Sequence, residues 1–436
     1  MPPRLLVIQA AGLDYDPSVE GLSFGRLQSV LPALTCSVQA SFRTASRPGR
    51  HGMVANGLYH RPLAKAMFWE QSAGLVAGER IWEPFRARGK RVAMLFWQQS
   101  MGECVDMLLT PAPIHKHHGG MIDDCYSRPA GLYGELCQAV GRPFKLRHYW
   151  GPLASPRAGD WIAQATAALL ARPDAPDLCL TYLPTLDYDF QRFGPAHPRA
   201  AAAKLALARQ LQHLLAAARK GGYDVVVFGD YAIAPVAGAP VFPNRALLAE
   251  GLLACRDVRG MLYADLPQAR AFALVDHEIA HVYIRRPGDI PATTACLKAL
   301  DGMAAVLASP AEKATAGLDH PNSGELVLLA APGRWFAYPW WADKRYPWWA
   351  DKRRRPDYAT HVDIHNKPGF DPCELFFGPL PIGTSQRPER IGGTHGLAGA
   401  GRQVSWAATF PLPVEETPTD LIELAAAVRG WLERQR

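Results

Sequence analysis

The segment Thr35 to Gly57, TCSVQASFRTASRPGRHGMVANG, places a threonine hydroxyl at the start of a helical stretch and an asparagine, Asn56, near its turn-rich end. A hydroxyl at a helix N-terminus sits where backbone amides and the helix dipole favour an anion. Beside a bound metal such a hydroxyl becomes a nucleophile. On residue type alone, Thr35 is equally an N-cap and Asn56 a turn former. A second group lies in HVDIHNKPGFD, with His361, Asp363, His365 and Asp371. On an extended segment Asp363 and His365 share one face, which suits a shared ion. Asp276, His277 and His281 form a further set, for which satisfied core histidines are the expectation. His115, His117 and His118, in IHKHHGG, match no specific metal spacing. Cys36 follows Thr35 directly and reads as a small packing residue. The chain has no GxxxxGK[ST] loop and no Rossmann glycine fingerprint after its first strand, so nucleotide use has to come through a metal site.

These groups need a frame. Apolar runs at Leu5 to Ile8, Val92 to Trp97, Leu178 to Leu183 and Tyr223 to Phe228 read as buried strands. They alternate with helical stretches, clearest at Trp161 to Leu170 and Ala200 to Ala218. Alternation of this kind implies a mainly parallel sheet with helices on both faces and functional groups just beyond its carboxyl edge. The 436 residues are read as one α/β domain over 1–436, with a lid insertion at 98–156 and a cap subdomain at 234–320. Strands are expected at Ala271 to Val275, His281 to Ile284 and Leu326 to Ala330, and a final helix at Thr419 to Arg434. The octapeptide YPWWADKR occurs twice in tandem from Tyr338 and reads as a duplication in a surface loop.

The net charge of +7 favours anionic ligands weakly, and the basic run Lys352 to Arg355 reads as a solvated loop without a nucleic-acid motif. No segment approaches the roughly 20 apolar residues of a membrane helix. Eight scattered cysteines without a CxxC pair point to reduced thiols in a cytoplasmic protein.

The Thr35 segment resembles the nucleophile segment of the nucleotide pyrophosphatase/phosphodiesterase (type I phosphodiesterase) family, in the alkaline-phosphatase superfamily. Thr35, Thr44, His51-Gly52 and Asn56 fall at matching spacings, and Ala45 stands where the family has Gly. GERIW at Gly78, Phe96-Trp97, LPTLDYDFQRFGP at Leu183, VVFGDYAI at Val226 and GTHG at Gly393 follow in the family's order. The resemblance implies an alkaline-phosphatase-like α/β fold with a central, mainly parallel sheet and a smaller cap. It implies hydrolysis of a phosphodiester or pyrophosphate bond in a small phosphorylated substrate. Thr35 attacks phosphorus, Asn56 donates to a phosphoryl oxygen, and two divalent ions, usually zinc, are held by carboxylates and histidines. Asp187, Asp230 and His395 match ligand positions, whereas Ala11, Gln191 and Tyr231 replace three others. Asp363 and His365, with Asp14 and Asp16, are the candidates to replace what is missing. A catalytically impaired relative that binds a phosphorylated ligand, and a C–P bond hydrolase like phosphonoacetate hydrolase, are the alternatives.

Overall fold

The structure is a computed structural model that describes residues 4–341, 354–379, 383–412 and 416–435. Its first strand, Arg4–Ala10 (β1), is buried along almost its whole length. A strand apolar on both faces needs strands on both edges and helices on both faces. Leu178–Leu183 (β6) and Tyr223–Gly229 (β7) flank it, both parallel to it. Val92–Leu95 (β3) and Met107–Pro111 (β4) extend the parallel set beyond β6. Three antiparallel strands finish the edges: Gly25–Leu27 (β2), Cys125–Arg128 (β5) and Val404–Ala408 (β12). The order across the eight strands is β2-β12-β7-β1-β6-β3-β4-β5.

Helices Thr35–Thr44 (α1), Arg157–Leu170 (α2), Asp187–Phe193 (α3), Pro198–Gly221 (α4) and Leu421–Arg434 (α5) flank this sheet. Helix α4 shows its boundaries in its sequence, with Pro198 in its first turn and Gly222 in the left-handed conformation that closes it. The strands expected at 5–8, 178–183 and 223–228 and the helices at 161–170 and 200–218 fall within these elements, whereas the strand expected at Val92 to Trp97 stops at Leu95, before the left-handed Phe96, and the final helix starts at Leu421 behind its N-cap Asp420 rather than at Thr419.

A second, antiparallel sheet has the order β8-β9-β11-β10, from Ala271–Asp276 (β8), Ile279–Ile284 (β9), Met303–Leu307 (β10) and Leu326–Ala330 (β11). It has its own apolar core, which includes Tyr338, Trp340 and Trp341. The start of the YPWWADKR repeat is therefore buried rather than looped out, while 342–353, with Lys352 and Arg353 of the basic run, lie outside the described residues. Of the 98–156 segment, β4 and β5 belong to the central sheet. Its exposed hairpin, Ile114–His115 with Met121–Ile122, and the turn around Tyr149 reach the cavity described below. Among the described residues no helix is long and apolar enough to cross a membrane.

Helix α1 ends on Ala45, whose φ of 46° and ψ of 42° are left-handed. A Cβ in that region costs roughly 1–2 kcal/mol, and glycine avoids it. Ala45 is partly packed against the main core, so the gain from removing its methyl group is reduced. Ala45→Gly is expected to stabilise the protein by about 0.5–1 kcal/mol in urea unfolding. An unchanged or lower midpoint would contradict this account of the helix end.

Candidate active site

Thr35 opens α1 behind an extended Leu34 and is nearly buried at the wall of a cavity of about 460 Å³. That volume suits a small ligand. The cavity lies off the carboxyl ends of the parallel strands, where β6 leads into Asp187 and β7 into Asp230 and Tyr231. Thr35 Oγ1 is 3.4 Å from the Tyr231 hydroxyl, which donates to Asp187 Oδ1 at 2.9 Å. The Tyr231 ring lies flat on His395, with centroids 3.6 Å apart. Tyr231 therefore fills the space between the threonine, the carboxylate and the imidazole.

Asp230 is fully buried and does not line the cavity. Its Oδ2 accepts from Gln9 Nε2 at 3.0 Å, and its Oδ1 accepts the N–H groups of Gly12 at 3.0 Å and Tyr231 at 2.9 Å. Burial pushes its carboxyl up to about 8, against these donors. Burial also raises Asp187 to about 6, opposed by hydrogen bonds from Gln191 and Tyr231. Asp276, at the end of β8, is pushed up to about 7 by burial although it accepts from the backbone and side chain of Asn56. His395 is buried, and desolvation holds it well below the ordinary imidazole range. Its Nδ1–H donates to the Ala33 carbonyl at 3.0 Å, so Nε2 carries a lone pair. That Nε2 is 3.9 Å from Asp187 Oδ1.

The donors for two ions are not assembled. Ala11 supplies none, Asp230 is committed to three N–H groups, and among the described residues no three of His, Cys, Asp and Glu are grouped to hold an ion. One ion is a different matter. The 3.9 Å between Asp187 and His395 can be spanned by two bonds of roughly 2.0–2.2 Å, and a carboxylate has lone pairs beyond the one given to Tyr231. Gln191 Oε1 is buried without a partner among the described residues, which leaves a third oxygen donor on the same helix as Asp187. A histidine whose other nitrogen donates to a carbonyl, as in His395, has the usual support of a metal ligand.

The remaining sequence candidates separate by place. Asn56 lines the cavity, its Oδ1 accepting the Cys36 N–H at 3.0 Å. Asp363 and His365 also reach the cavity wall, but Asp363 accepts from Asn366 and His365 Nδ1 donates to the Phe68 carbonyl at 3.0 Å. The structure does not bring them into one ligand set with Asp187 and His395. Asp371 pairs with buried Lys367 instead, and Asp14 and Asp16 do not line the cavity. His281 is a satisfied core residue, donating from Nε2 to Val54 O and accepting the Gly324 N–H at Nδ1. Of the His115, His117, His118 cluster only His115 lines the cavity. Cys36 is buried and its thiol is pushed up to about 12, as befits a packing residue. Sequence reasoning missed Gln9, and His277, expected to be a satisfied core histidine, lines the cavity with its Nε2 unpartnered among the described residues. A glutamine at an inward position of an otherwise apolar strand was the available signal for Gln9.

The family model described as type I phosphodiesterase/nucleotide pyrophosphatase matches residues 18–371. Comparison with curated protein sequences gave no match. Phosphonoacetate hydrolase from Sinorhizobium meliloti 1021, in complex with phosphonoacetate, is similar in structure at TM-score 0.62 and 16% identity, covering 99% of this chain and 96% of that one. Murine ectonucleotide pyrophosphatase/phosphodiesterase 5, as an inactive variant in complex with AMP, is similar at TM-score 0.58 and 13% identity, covering 99% and 95%. At these identities the likeness is one of fold.

Three carboxyl groups with raised proton affinity set the sign of a pH effect. Unfolded, they ionise near 4; folded, Asp187, Asp276 and Asp230 ionise near 6, 7 and 8. The folded state therefore binds more protons within that window, and stability falls as pH rises from about 4 to about 8. The melting temperature of chelator-treated protein should drop across that range, and Asp230→Asn should make the drop shallower. A midpoint that rises towards pH 8 would exclude this description of the carboxyl cluster.

Proposed function

This chain belongs to the type I phosphodiesterase/nucleotide pyrophosphatase family, a family of hydrolases, and from that premise we propose that it hydrolyses a phosphodiester or pyrophosphate bond in a small phosphorylated substrate, with Thr35 as nucleophile and one divalent ion rather than two. The observation that carries this reading is the Thr35–Tyr231–Asp187 chain at the cavity wall. Thr35 attacks phosphorus as its proton passes to the Tyr231 oxygen, and Tyr231 passes its own proton to Asp187. The Oγ1–P bond forms as the bond from phosphorus to the leaving oxygen breaks. Asn56 is pinned by Cys36 and Asp276 and keeps a second amide hydrogen for a phosphoryl oxygen, where negative charge grows. Asp187, His395 and Gln191 would hold the ion, which when bound supplies positive charge to the phosphoryl group and lowers the proton affinity of a nearby hydroxyl. Water then releases the phosphoryl group from Thr35.

The ion's identity follows from the donor set only as far as mixed oxygen and nitrogen ligands allow, which includes zinc, manganese and magnesium. The cytoplasm is proposed as location because all eight cysteines are unpaired. Sequestration of Asp230 favours, as a second reading, a relative that binds a phosphorylated ligand without turning it over.

Metal content and turnover on an aryl phosphodiester decide between them, with phosphonoacetate as a parallel substrate for the C–P alternative. About one ion per chain and a loss of roughly 10³-fold or more in Thr35→Ala are expected. An ion-free protein with equal background rates in both forms would leave only the binding reading. The double variant Ala11→Asp/Tyr231→His, prepared with zinc, is expected to take up about two ions. Failure to gain the second would show that Tyr231 is not what closes that position.

A further inference from the structure

His277 occupies the turn between β8 and β9 at a φ of 60°, a conformation uncommon for a residue with a side chain. Strained positions of this kind cluster at functional sites. The residue is 3% exposed, yet it lines the same cavity as Thr35, Asn56 and His395. The ring is fixed between Phe370, at 3.7 Å between centroids, and His395, at 3.8 Å. Its Nδ1 is 2.7 Å from Asp276 Oδ1. Asp276 also accepts the Asn56 backbone N–H at 2.8 Å and the Asn56 side-chain amide at 3.3 Å.

Two N–H donors from Asn56 already converge on Asp276, so its carboxylate is an acceptor and His277 Nδ1 carries the ring proton. That fixes Nε2 as an acceptor. Nε2 is buried and has no partner among the described residues. A buried acceptor without a donor is costly, and the cavity that His277 lines is the nearest space from which a small donor such as water can reach it once the ring or a ligand shifts. Because Asp276 ties His277 to Asn56, the acceptor stands on the side of the cavity where Asn56 meets the phosphoryl group. None of the motif positions matched in the sequence falls on this turn.

We propose that His277, oriented by Asp276, is a second catalytic residue of this site: its Nε2 binds the water that frees the phosphoryl group from Thr35. This rests on Thr35 being the nucleophile. The water oxygen bonds to phosphorus as the P–Oγ1 bond breaks. One water proton goes to Nε2 and the other stays on the product. Thr35 recovers its proton from Tyr231, which regains one from Asp187, and the proton on Nε2 leaves to solvent with the product. The carboxylate behind Nδ1 holds the ring in the accepting tautomer, the arrangement a base needs.

The experiment follows both halves of the reaction with the full, ion-loaded chain and an aryl phosphodiester. His277→Asn is the variant of choice, because asparagine tolerates a positive φ. Its steady turnover should fall by roughly 10²-fold or more, while the first burst of about one aryl alcohol per chain persists. Phosphorylated Thr35 should then accumulate and be seen by peptide mass spectrometry, and added imidazole should restore turnover. Asp276→Asn should shift the same readings less. Turnover of His277→Asn within about threefold of the parent, or a loss of the burst in step with turnover and no adduct, overturns the role of His277. Thr35→Ala with undiminished turnover instead removes the nucleophile beneath it, and that outcome is separate because no variant would then carry an adduct.

Discussion

The turn from Asp276 to Glu278, in the second sheet, holds the loops that carry Asn56 and His395 to the cavity. Asp276 takes the backbone and side-chain N–H groups of Asn56. His277 stacks on His395. Glu278 donates its backbone N–H to the His395 carbonyl, and its carboxylate accepts from Leu397 N and Arg402. All three residues are buried, so each hydrogen bond lost at Asp276 or Glu278 would leave an unsatisfied polar group. The second sheet is thus part of the frame of the site. Its hairpin sets where the amide of Asn56 and the ring of His395 stand relative to Thr35.

Electrostatics sets the other limit. Asp187, Asp230 and Asp276 are buried around one end of the central sheet, and isolated ionised carboxylates cannot be placed there without partners. Two positive ions would be one solution. Here Gln9, Gly12 and the Tyr231 amide satisfy Asp230, while the Tyr231 hydroxyl satisfies one oxygen of Asp187. Tyr231 does more than fill space, because its ring covers His395 and its hydroxyl bridges Thr35 to Asp187. Hydrogen bonds thus do here part of what positive ions could do, and the ion proposed above would rest on Asp187 and His395 with the spare oxygen of Gln191.

The frame was legible in the sequence because it depends on period and burial. The runs at 5–8, 178–183 and 223–228 are apolar on both faces, and such segments have few places to go other than the middle of a parallel sheet. Thr35 and Asn56 were legible as a pair from the family-like spacing of the segment that carries them, and the structure puts both at one cavity. The polar wiring was not legible. Gln9 and Asp230 are 221 residues apart, and Asn56 and Asp276 are 220 apart. Nothing local to either residue announces its partner. Asp363 and His365 show the converse: their spacing suits a ligand pair, but neighbouring Asn366 and the Phe68 carbonyl engage them instead.

The same reasoning distinguishes the two buried histidines of the second sheet, which are indistinguishable by type and nearly so by position. His281 has a donor for one ring nitrogen and an acceptor for the other, both from backbone, so its ring is a strut between Val54 and Gly324. His277 has an acceptor on one side and, among the described residues, no partner on the other. Both rings are held neutral by burial. Burial therefore cannot tell a structural imidazole from a chemical one; the unmatched nitrogen can, because a folded interior leaves few polar groups unsatisfied. On a residue at a positive φ, clamped between two rings in the wall of a cavity shared with a threonine hydroxyl, the unmatched nitrogen of His277 is the feature of this structure least explained by stability alone.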